Sequence, residues 1–319
     1  MRRAKISILG AGQTGGTMAH LLALKDYANI VLYDIRGNFA KGKAMDLEQS
    51  GAISGFDCQI IGTNSLEFTC DSDIIIIAAG SPRKPGQSRE ELARATLEVI
   101  KDILPKVAER SPNAIFIGFT NPMDVMTHAA MLEGKIKPNR IIGQGGVLDS
   151  ARFRTFIKNQ LTDYGLYYST RDIFAYVLGG HGEKTMVPIV SRVVIRGLSI
   201  SEFLSQTDIN EVVEKTKNGG KEILDLMQSG SAFYAPAAAV VEMVETILFD
   251  QKRILPCSVY LTGQYGIHAS FVGVLTRLGR DGVEKVIEEP LSTDELSALK
   301  KAADHNRAML DTLYETNRS

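Results

Sequence analysis

The 319-residue chain has room for two domains of ordinary size or one large one, and its 44% hydrophobic and 23% charged residues are those of a soluble globular protein. A formal net charge of −1 gives no electrostatic case for nucleic acid or an anionic membrane as partner. The three cysteines, Cys58, Cys70 and Cys257, are widely spaced and form no CxxC, which argues against a disulfide framework, predicts no metal site and fits a reducing, cytoplasmic setting. No apolar run reaches the roughly 18 residues of a membrane span, so none is predicted. Arg2-Arg3 before an apolar segment mimics a leader, but Lys5 interrupts it and cleavage would delete the first strand.

In chain order, Ala4–Leu9 reads as a strand, Gln13–Leu24 as a helix, Ile30–Tyr33 as a second strand and Gln59–Gly62 as a weaker one. Asp73–Ala79 is the most apolar strand, Arg89–Glu109 a long helix, and Ala114–Gly118 and Arg140–Ile142 complete the series. Strands joined by helical crossovers predict an α/β fold, a Rossmann-type doubly wound parallel sheet over residues 1–145. From residue 146 to 319 the pattern changes to a C-terminal α+β domain. Its predicted elements are a helix over Val147–Gln160 and short strands at Ile173–Leu178, Met186–Ile189 and Arg192–Ile195. A helix over Asn210–Gln228, interrupted at Gly219-Gly220, and an apolar helix over Ala235–Phe249 follow. Antiparallel strands at Pro256–Leu261 and Ser270–Thr276 and an amphipathic helix over Thr293–Tyr314 end the chain. With no repeat, low-complexity tract or Ser/Gly linker, the halves are expected to share a broad interface, and the apolar Ala235–Phe249 helix is assigned to the core.

Gly10-Ala11-Gly12-Gln13-Thr14-Gly15 matches G-x-G-x-x-G between the first strand and the first helix, the context that gives the motif meaning. The first glycine permits the tight turn, the second lets backbone approach a pyrophosphate, and the third allows close helix–strand packing. Asp34 ends the second strand about 20 residues later, where a carboxylate accepts ribose hydroxyls and repels a 2′-phosphate. That favours NAD over NADP, with nearby Arg36 the one contrary charge. The loop from Gly80 to Glu91 empties from the most apolar strand and carries Arg83 and Arg89 between Pro82, Pro85 and Gly86. Two guanidinium groups at a strand's carboxyl end suit a small substrate bearing carboxylates. Thr120-Asn121-Pro122 ends another strand; Asn-Pro reads as a turn, and Asn121 could donate to a substrate or nicotinamide carbonyl.

In the second half, Asp149 and Arg152 lie three apart on one helix face, which by itself is often only a surface ion pair. His181 stands among Gly179, Gly180 and Gly182 at the end of an apolar strand. An isolated histidine is more often structural than catalytic. Hydride transfer from an alcohol, however, needs a proton acceptor that titrates near neutrality, an acid that fixes its tautomer, and a bidentate grip on a carboxylate. His181, Asp149 and Arg152 supply all three.

The stretches GAGQTG, AGSPRKPGQSREEL, TNPMDV, GQGGVLDSARFRTF, LGGHGEKTMVP and GSAFYAPAAAVVEMV stand in an order and spacing that resemble the lactate/malate dehydrogenase family, in particular its lactate-dehydrogenase-like malate branch, over nearly the whole chain. The resemblance implies reversible NAD-dependent oxidation of (S)-malate to oxaloacetate in a cytoplasmic homotetramer, or else a dimer. It implies His181 as acid/base with Asp149 as its partner, Arg152 on the 2-oxo acid carboxylate, and Arg89 polarising the reacting carbonyl. Asn121 would contact substrate and nicotinamide, and Thr96, Phe119 and Thr120 would join the glycine turn and Asp34 around the cofactor. Arg83 occupies the position where lactate enzymes usually carry Gln, and it would pair with the second carboxylate of oxaloacetate. Left unpaired by pyruvate and fully desolvated, that charge would cost roughly 3–5 kcal/mol, on the order of a hundredfold to a few thousandfold. The chain departs from the pattern at Gly146, where Ala is more usual, at Gln87, where malate enzymes often have Met, and at Thr96, where Asn is common. Gln87 bears on the strictness of substrate discrimination. Lactate or dual-specificity activity is the nearest alternative. The NAD- and metal-dependent glycosidases share the first-domain fold but need a metal cluster, and a non-catalytic NAD-binding protein would bind NADH without oxaloacetate-dependent turnover.

Overall fold

Four consecutive isoleucines, Ile74–Ile77, occupy the middle of a sheet covered on both faces, and all four are buried. At about 1.5–3 kcal/mol for each fully buried side chain, such a run fits only an interior parallel strand. The computed structural model describes residues 2–80, 89–228 and 230–315. The first six strands are β1 (Ala4–Leu9), β2 (Ala28–Tyr33), β3 (Ile60–Thr63), β4 (Ile74–Ile77), β5 (Ile115–Gly118) and β6 (Ile141–Gly143). They lie parallel in the order β3-β2-β1-β4-β5-β6. The crossovers are α1 (Gln13–Lys25), α2 (Gly37–Ser54), α3 (Arg89–Arg110) and α4 (Met123–Glu133). Strand order reverses between β1 and β4. A crevice at that switch point, outside the carboxyl ends of the strands, is where such sheets bind ligands.

The sheet then continues antiparallel. After α5 (Gly145–Asp163), the strands β7 (Ile173–Phe174), β8 (Val177–Gly179), β9 (Met186–Pro188), β10 (Val194–Ile195) and β11 (Leu198–Ser199) follow. The helices α6 (Gln206–Met227) and α7 (Tyr234–Leu248), the strands β12 (Ile254–Thr262), β13 (His268–Gly279) and β14 (Gly282–Val286), and α8 (Thr293–Glu315) complete the chain. β12 joins β6 at Ser258 and Gly143, β13 pairs along β12, and β8 joins β13 at Gly179 and Gly273. One 11-stranded sheet therefore carries both halves, with β7, β10 and β11 in a separate small sheet. The expected broad interface is a shared hydrogen-bonded sheet. α7 packs its buried Ala237, Val240, Val244 and Ile247 into the same core cluster as Met18 and Leu22 of α1, as the core assignment expected.

Two expectations need correction. The predicted strand Ile173–Leu178 divides at Ala175-Tyr176, and its two pieces enter different sheets. The predicted interruption at Gly219-Gly220 is absent: α6 is continuous from Gln206. Those glycines lie against α5, where Cβ atoms would stand 3.1 Å from the Phe156 ring and 3.4 Å from the Arg152 guanidinium. The pair serves close helix packing. Two helices carry no clear amphipathic period and were not predicted. α4 is buried on nearly every side, and α2 contains Gly37, Gly42 and Gly51.

Gly273 and Gly42 separate two roles for glycine. A Cβ on Gly273 would stand 2.6 Å from the carbonyl oxygen of Gly179, where backbone must move, whereas one on exposed, helical Gly42 meets nothing within 4 Å. Gly273→Ala is expected to lower stability in urea by about 1–3 kcal/mol, and Gly42→Ala to raise it by about 0.5–1 kcal/mol. Equal effects of the two changes would contradict this packing.

Candidate active site

The glycine turn follows β1 directly. Gly10 adopts φ +114° and donates its N–H to the carbonyl of Tyr33 at 2.7 Å. A Cβ there would lie 2.7 Å from the Ala78 carbonyl oxygen, and one on Gly15 would lie 1.9 Å from that of Gly10. Only glycine fits either place. Gly12 caps α1 without a side-chain hydrogen bond, and the space where its Cβ would stand is open for 4 Å. The turn is thus closed behind by backbone and open in front, with the first N–H groups of α1 available to an anion. Gln13 is exposed and Thr14 partly so, while Ala11 is buried and donates its N–H to Asp34 Oδ2 at 3.0 Å.

Asp34 also accepts from the Arg36 N–H at 3.0 Å and from its guanidinium at 3.1 and 3.2 Å. Burial pushes the Asp34 carboxyl up, but the Arg36 and Ala11 hydrogen bonds outweigh it and hold the group below the usual carboxylate range. Arg36 lies over the Phe39 ring at 4.2 Å, so it is held beside the carboxylate instead of standing free for a phosphate. An ionised acid at the end of β2 and an open glycine cradle fit an adenine dinucleotide with an unmodified ribose.

At the ends of β4 and β5, Thr120 Oγ1 donates to the carbonyls of Ile77 and Ala79 at 3.0 and 2.7 Å. A Cβ on Gly80 would meet Thr120 Cγ2 at 2.7 Å and Thr96 Cγ2 at 3.6 Å, which puts Thr96, Gly80 and Thr120 together. Thr96 is buried there, Phe119 is half-buried and Asn121 is exposed. Arg83 and Gln87 lie outside the described residues, as does the side chain of Arg89, the first residue of α3.

The second constellation comes together around His181. Its Nδ1 lies 2.7 Å from Asp149 Oδ2, and Arg152 Nη1 lies 3.4 Å from Asp149 Oδ1. Asp149 is 1% exposed, and the side chains of His181 and Arg152 are each 13% exposed, so this is no surface ion pair. A carboxylate can only accept. The ring proton therefore sits on Nδ1, leaving Nε2 to exchange protons. Arg152 Nε is buried and has no hydrogen-bond partner among the described residues, a donor suited to an incoming anion.

Burial lowers the tendency of His181 to hold a proton, but the charge and hydrogen bond of Asp149, with a smaller contribution from Asp124, outweigh that and the opposing Arg152. The ring is held above its ordinary value. Asp124 was not singled out from the sequence. It accepts the His181 backbone N–H at 2.8 Å and the Ser258 hydroxyl at 2.6 Å, tying α4, β12 and the histidine loop together. Burial raises its carboxyl above the usual range against those two hydrogen bonds. A carboxylate opening an apolar helix and a serine within an apolar strand were the available signals. Gln144, between β6 and α5, was also passed over.

A glycine cradle with an ionised acid in the first half, and a buried Asp–His pair beside an arginine with an unpartnered Nε in the second, are the parts of a dinucleotide-dependent oxidoreductase. The family description "lactate/malate dehydrogenase, NAD binding domain" matches residues 4–143, and "lactate/malate dehydrogenase, alpha/beta C-terminal domain" matches residues 146–316. The chain belongs to the lactate/malate dehydrogenase family. It is 46% identical to the malate dehydrogenase of Thermomicrobium roseum over 313 residues, 98% of this chain and 99% of that one. With the malate dehydrogenase of Roseiflexus sp. the figure is 47% over 302 residues, 95% and 96% of the two chains. Among solved structures it resembles Cryptosporidium parvum malate dehydrogenase, with TM-score 0.93, 40% identity, and 98% and 100% of the two chains covered. It also resembles Eimeria maxima lactate dehydrogenase with NADH and oxamate, with TM-score 0.94, 33% identity, and 100% and 96% covered. No helix among the described residues is long and apolar enough to cross a membrane.

Because His181 is protonated more readily when folded, its stabilising contribution is complete below the unfolded-state value of about 6.5 and is lost as pH rises through the higher folded value. The urea midpoint of the wild-type protein should therefore fall more between about pH 6 and about pH 9 than that of His181→Asn. Parallel pH profiles would show that the Asp149 contact does not favour the imidazolium.

Proposed function

We propose that the protein is an NAD-dependent malate dehydrogenase, oxidising (S)-malate reversibly to oxaloacetate. The observation that carries this reading is the joining of His181, Asp149 and Arg152 in one buried cluster beside the carboxyl ends of the parallel strands. The near-full-length likeness to malate dehydrogenases supports it. The division of labour falls at residue 145, with cofactor binding before it and the acid/base apparatus after it. Gly10, Ala11, Gly12, Gln13, Thr14 and Gly15 would hold the pyrophosphate and Asp34 the adenosine ribose. Thr96, Phe119, Thr120 and Asn121 would line the nicotinamide end. Bound NAD supplies the hydride acceptor.

Arg152 and Arg83 grip the two carboxylates of malate, and Arg89 polarises the oxygen at the reacting carbon. Neutral His181 accepts the hydroxyl proton at Nε2 as hydride leaves the same carbon. Asp149 holds the Nδ1 proton and stabilises the imidazolium that forms. In the reverse direction, protonated His181 returns the proton to the oxygen of the reduced carbonyl. The Asp149 contact, which raises the affinity of His181 for a proton, favours its role as proton acceptor. The family counts lactate dehydrogenases among its members, and Arg83 is the residue we assign to preference for the four-carbon diacid.

Oxaloacetate, pyruvate and 2-oxoglutarate compared side by side with NADH test the substrate: oxaloacetate should be reduced far faster, and a preference for pyruvate would overturn the reading. Arg83→Gln should turn selectivity toward pyruvate by on the order of a hundredfold or more. His181→Asn should reduce turnover by about two to four orders of magnitude while NADH still binds; near-normal turnover would remove His181 from the mechanism.

A further inference from the structure

His181 lies in a stretch with little stiffness of its own. Gly179 adopts φ +84°, and Gly180 and Gly182 flank the histidine. Such a backbone has many conformations open to it and must be held by its contacts. The Gly180 N–H donates to the Thr185 carbonyl, and the Thr185 N–H to that of Gly182, both at 2.9 Å. Those bonds close the loop on itself. At the histidine, two helices hold it from outside: Asp149 of α5 at Nδ1, 2.7 Å away, and Asp124 of α4 at the backbone N–H, 2.8 Å away. A ring held at Nδ1 alone could swing about that bond. The second anchor, on the backbone, removes this freedom and so fixes the direction of Nε2.

Asp124 also stands where the two halves meet. It precedes residue 145 and lies three residues after Asn121, on the segment that leaves β5. Both of its hydrogen-bond partners come from beyond residue 145. Oδ2 accepts from His181, and Oδ1 accepts the Ser258 hydroxyl at 2.6 Å. Ser258 is the register partner of Gly143, at the seam where antiparallel strands join the parallel sheet. One turn further along α4, His128 packs on Tyr260 and Phe271, with ring centroids 5.3 Å away in both cases. Asp124 and His128 share a helix face, and Ser258 and Tyr260 share a strand face. α4 is thereby docked on β12 in one register. The Asp124 residue is 5% exposed and each carboxylate oxygen has a donor, so the group is held at both ends.

We propose that Asp124 is a positioning residue for the reaction: by bonding the His181 backbone and the Ser258 hydroxyl across the seam, it sets the distance between proton acceptor and hydride acceptor. The proposal rests on the reading of the protein as a malate dehydrogenase, and it adds a residue that acts only through His181. In malate oxidation the proton passes from the hydroxyl to His181 Nε2, and the hydride from the carbon bearing that hydroxyl to the nicotinamide. Both acceptors must therefore reach adjacent atoms of one substrate, although they belong to different halves of the chain. An error in their separation costs rate without loosening either ligand, because Arg152 and the glycine turn remain in place.

The test measures, on the full-length protein, turnover, KM for oxaloacetate, NADH affinity and the isotope effect with NADH deuterated at the transferred position. Asp124→Ala should lower turnover by about a hundredfold. Ser258→Ala should lower it by about three- to tenfold. In both, KM and NADH affinity should stay unchanged and the isotope effect should rise. Asp124→Asn keeps an acceptor for the His181 N–H and offers a donor to the Ser258 oxygen, and should recover about tenfold or more of the Asp124→Ala loss. Ser111→Ala is the comparator for stability. It removes a buried hydroxyl bonded to the Thr69 carbonyl at 2.6 Å and the Ser72 N–H at 3.1 Å, ahead of β5 at the amino end of the sheet. Its thermal midpoint should fall while turnover and isotope effect match the wild type. Wild-type turnover in Ser258→Ala, a loss in Asp124→Asn as deep as in Asp124→Ala, or a loss in Ser111→Ala equal to that in Ser258→Ala would each overturn the proposal. Should Asp124→Ala not fold, Ser258→Ala decides: slower turnover with a raised isotope effect supports the assignment, and an unchanged isotope effect overturns it. If the wild-type protein reduced no oxaloacetate, the malate reading would fall and the proposal with it; variants equal to an active wild type overturn the Asp124 assignment alone.

Discussion

The buried contact between Asp149 and His181 is the constraint on which the rest of the site depends. Two groups 2.7 Å apart, almost excluded from water, must overcome the desolvation of at least one charge. That His181 is held above its ordinary value in spite of burial shows that the Asp149 attraction outweighs the desolvation cost. Such a balance requires accurate placement, and three elements supply it. α5 carries Asp149 and Arg152 on one face, the loop after β8 carries the histidine, and Asp124 at the start of α4 holds the histidine backbone. Ser258 of β12 then holds Asp124. The antiparallel extension of the sheet is therefore part of what positions this cluster, because it brings β12 and β8 to the edge left by β6.

The cofactor end is built on a different principle. The glycine turn, Asp34 and Arg36 lie within a single β1-α1-β2 unit, and their contacts are to backbone or to residues close in sequence. Local backbone geometry nearly suffices there. The cluster around His181 draws on residues from 124 to 258, which meet only when the whole sheet is formed. Local opening of the C-terminal strands would separate His181 from Asp124 and Asp149 while leaving the glycine turn intact.

This contrast explains what was legible in the sequence. Strand, glycine turn, helix and acid form a motif of fixed order whose physics is local, so both the fold of the first half and its ligand class could be read. His181, Asp149 and Arg152 were recognised as suitable chemistry, but nothing in their spacing shows that they touch. Asp124 and Ser258 escaped because a helix-opening carboxylate and a strand serine have ordinary local explanations, and their role lies in a contact across 134 residues. Gly219-Gly220 misled for the same reason. Glycine weakens a helix locally, yet here the missing Cβ atoms let α6 approach Phe156 and Arg152. α4 and α2 were missed because burial on all sides, or several glycines, removes the amphipathic period by which helices are recognised.

The distribution of unpaired polar atoms carries the argument further. Among the described residues, three buried side-chain atoms lack a partner: Tyr27 OH, Gln144 Nε2 and Arg152 Nε. Tyr27 lies between α1 and β2, in edge contact with Phe249. The other two bracket Asp149 at the start of α5. Both are donors, which suits an acceptor such as a carboxylate or a carbonyl. In the free protein each lowers stability, and each is relieved when its acceptor arrives.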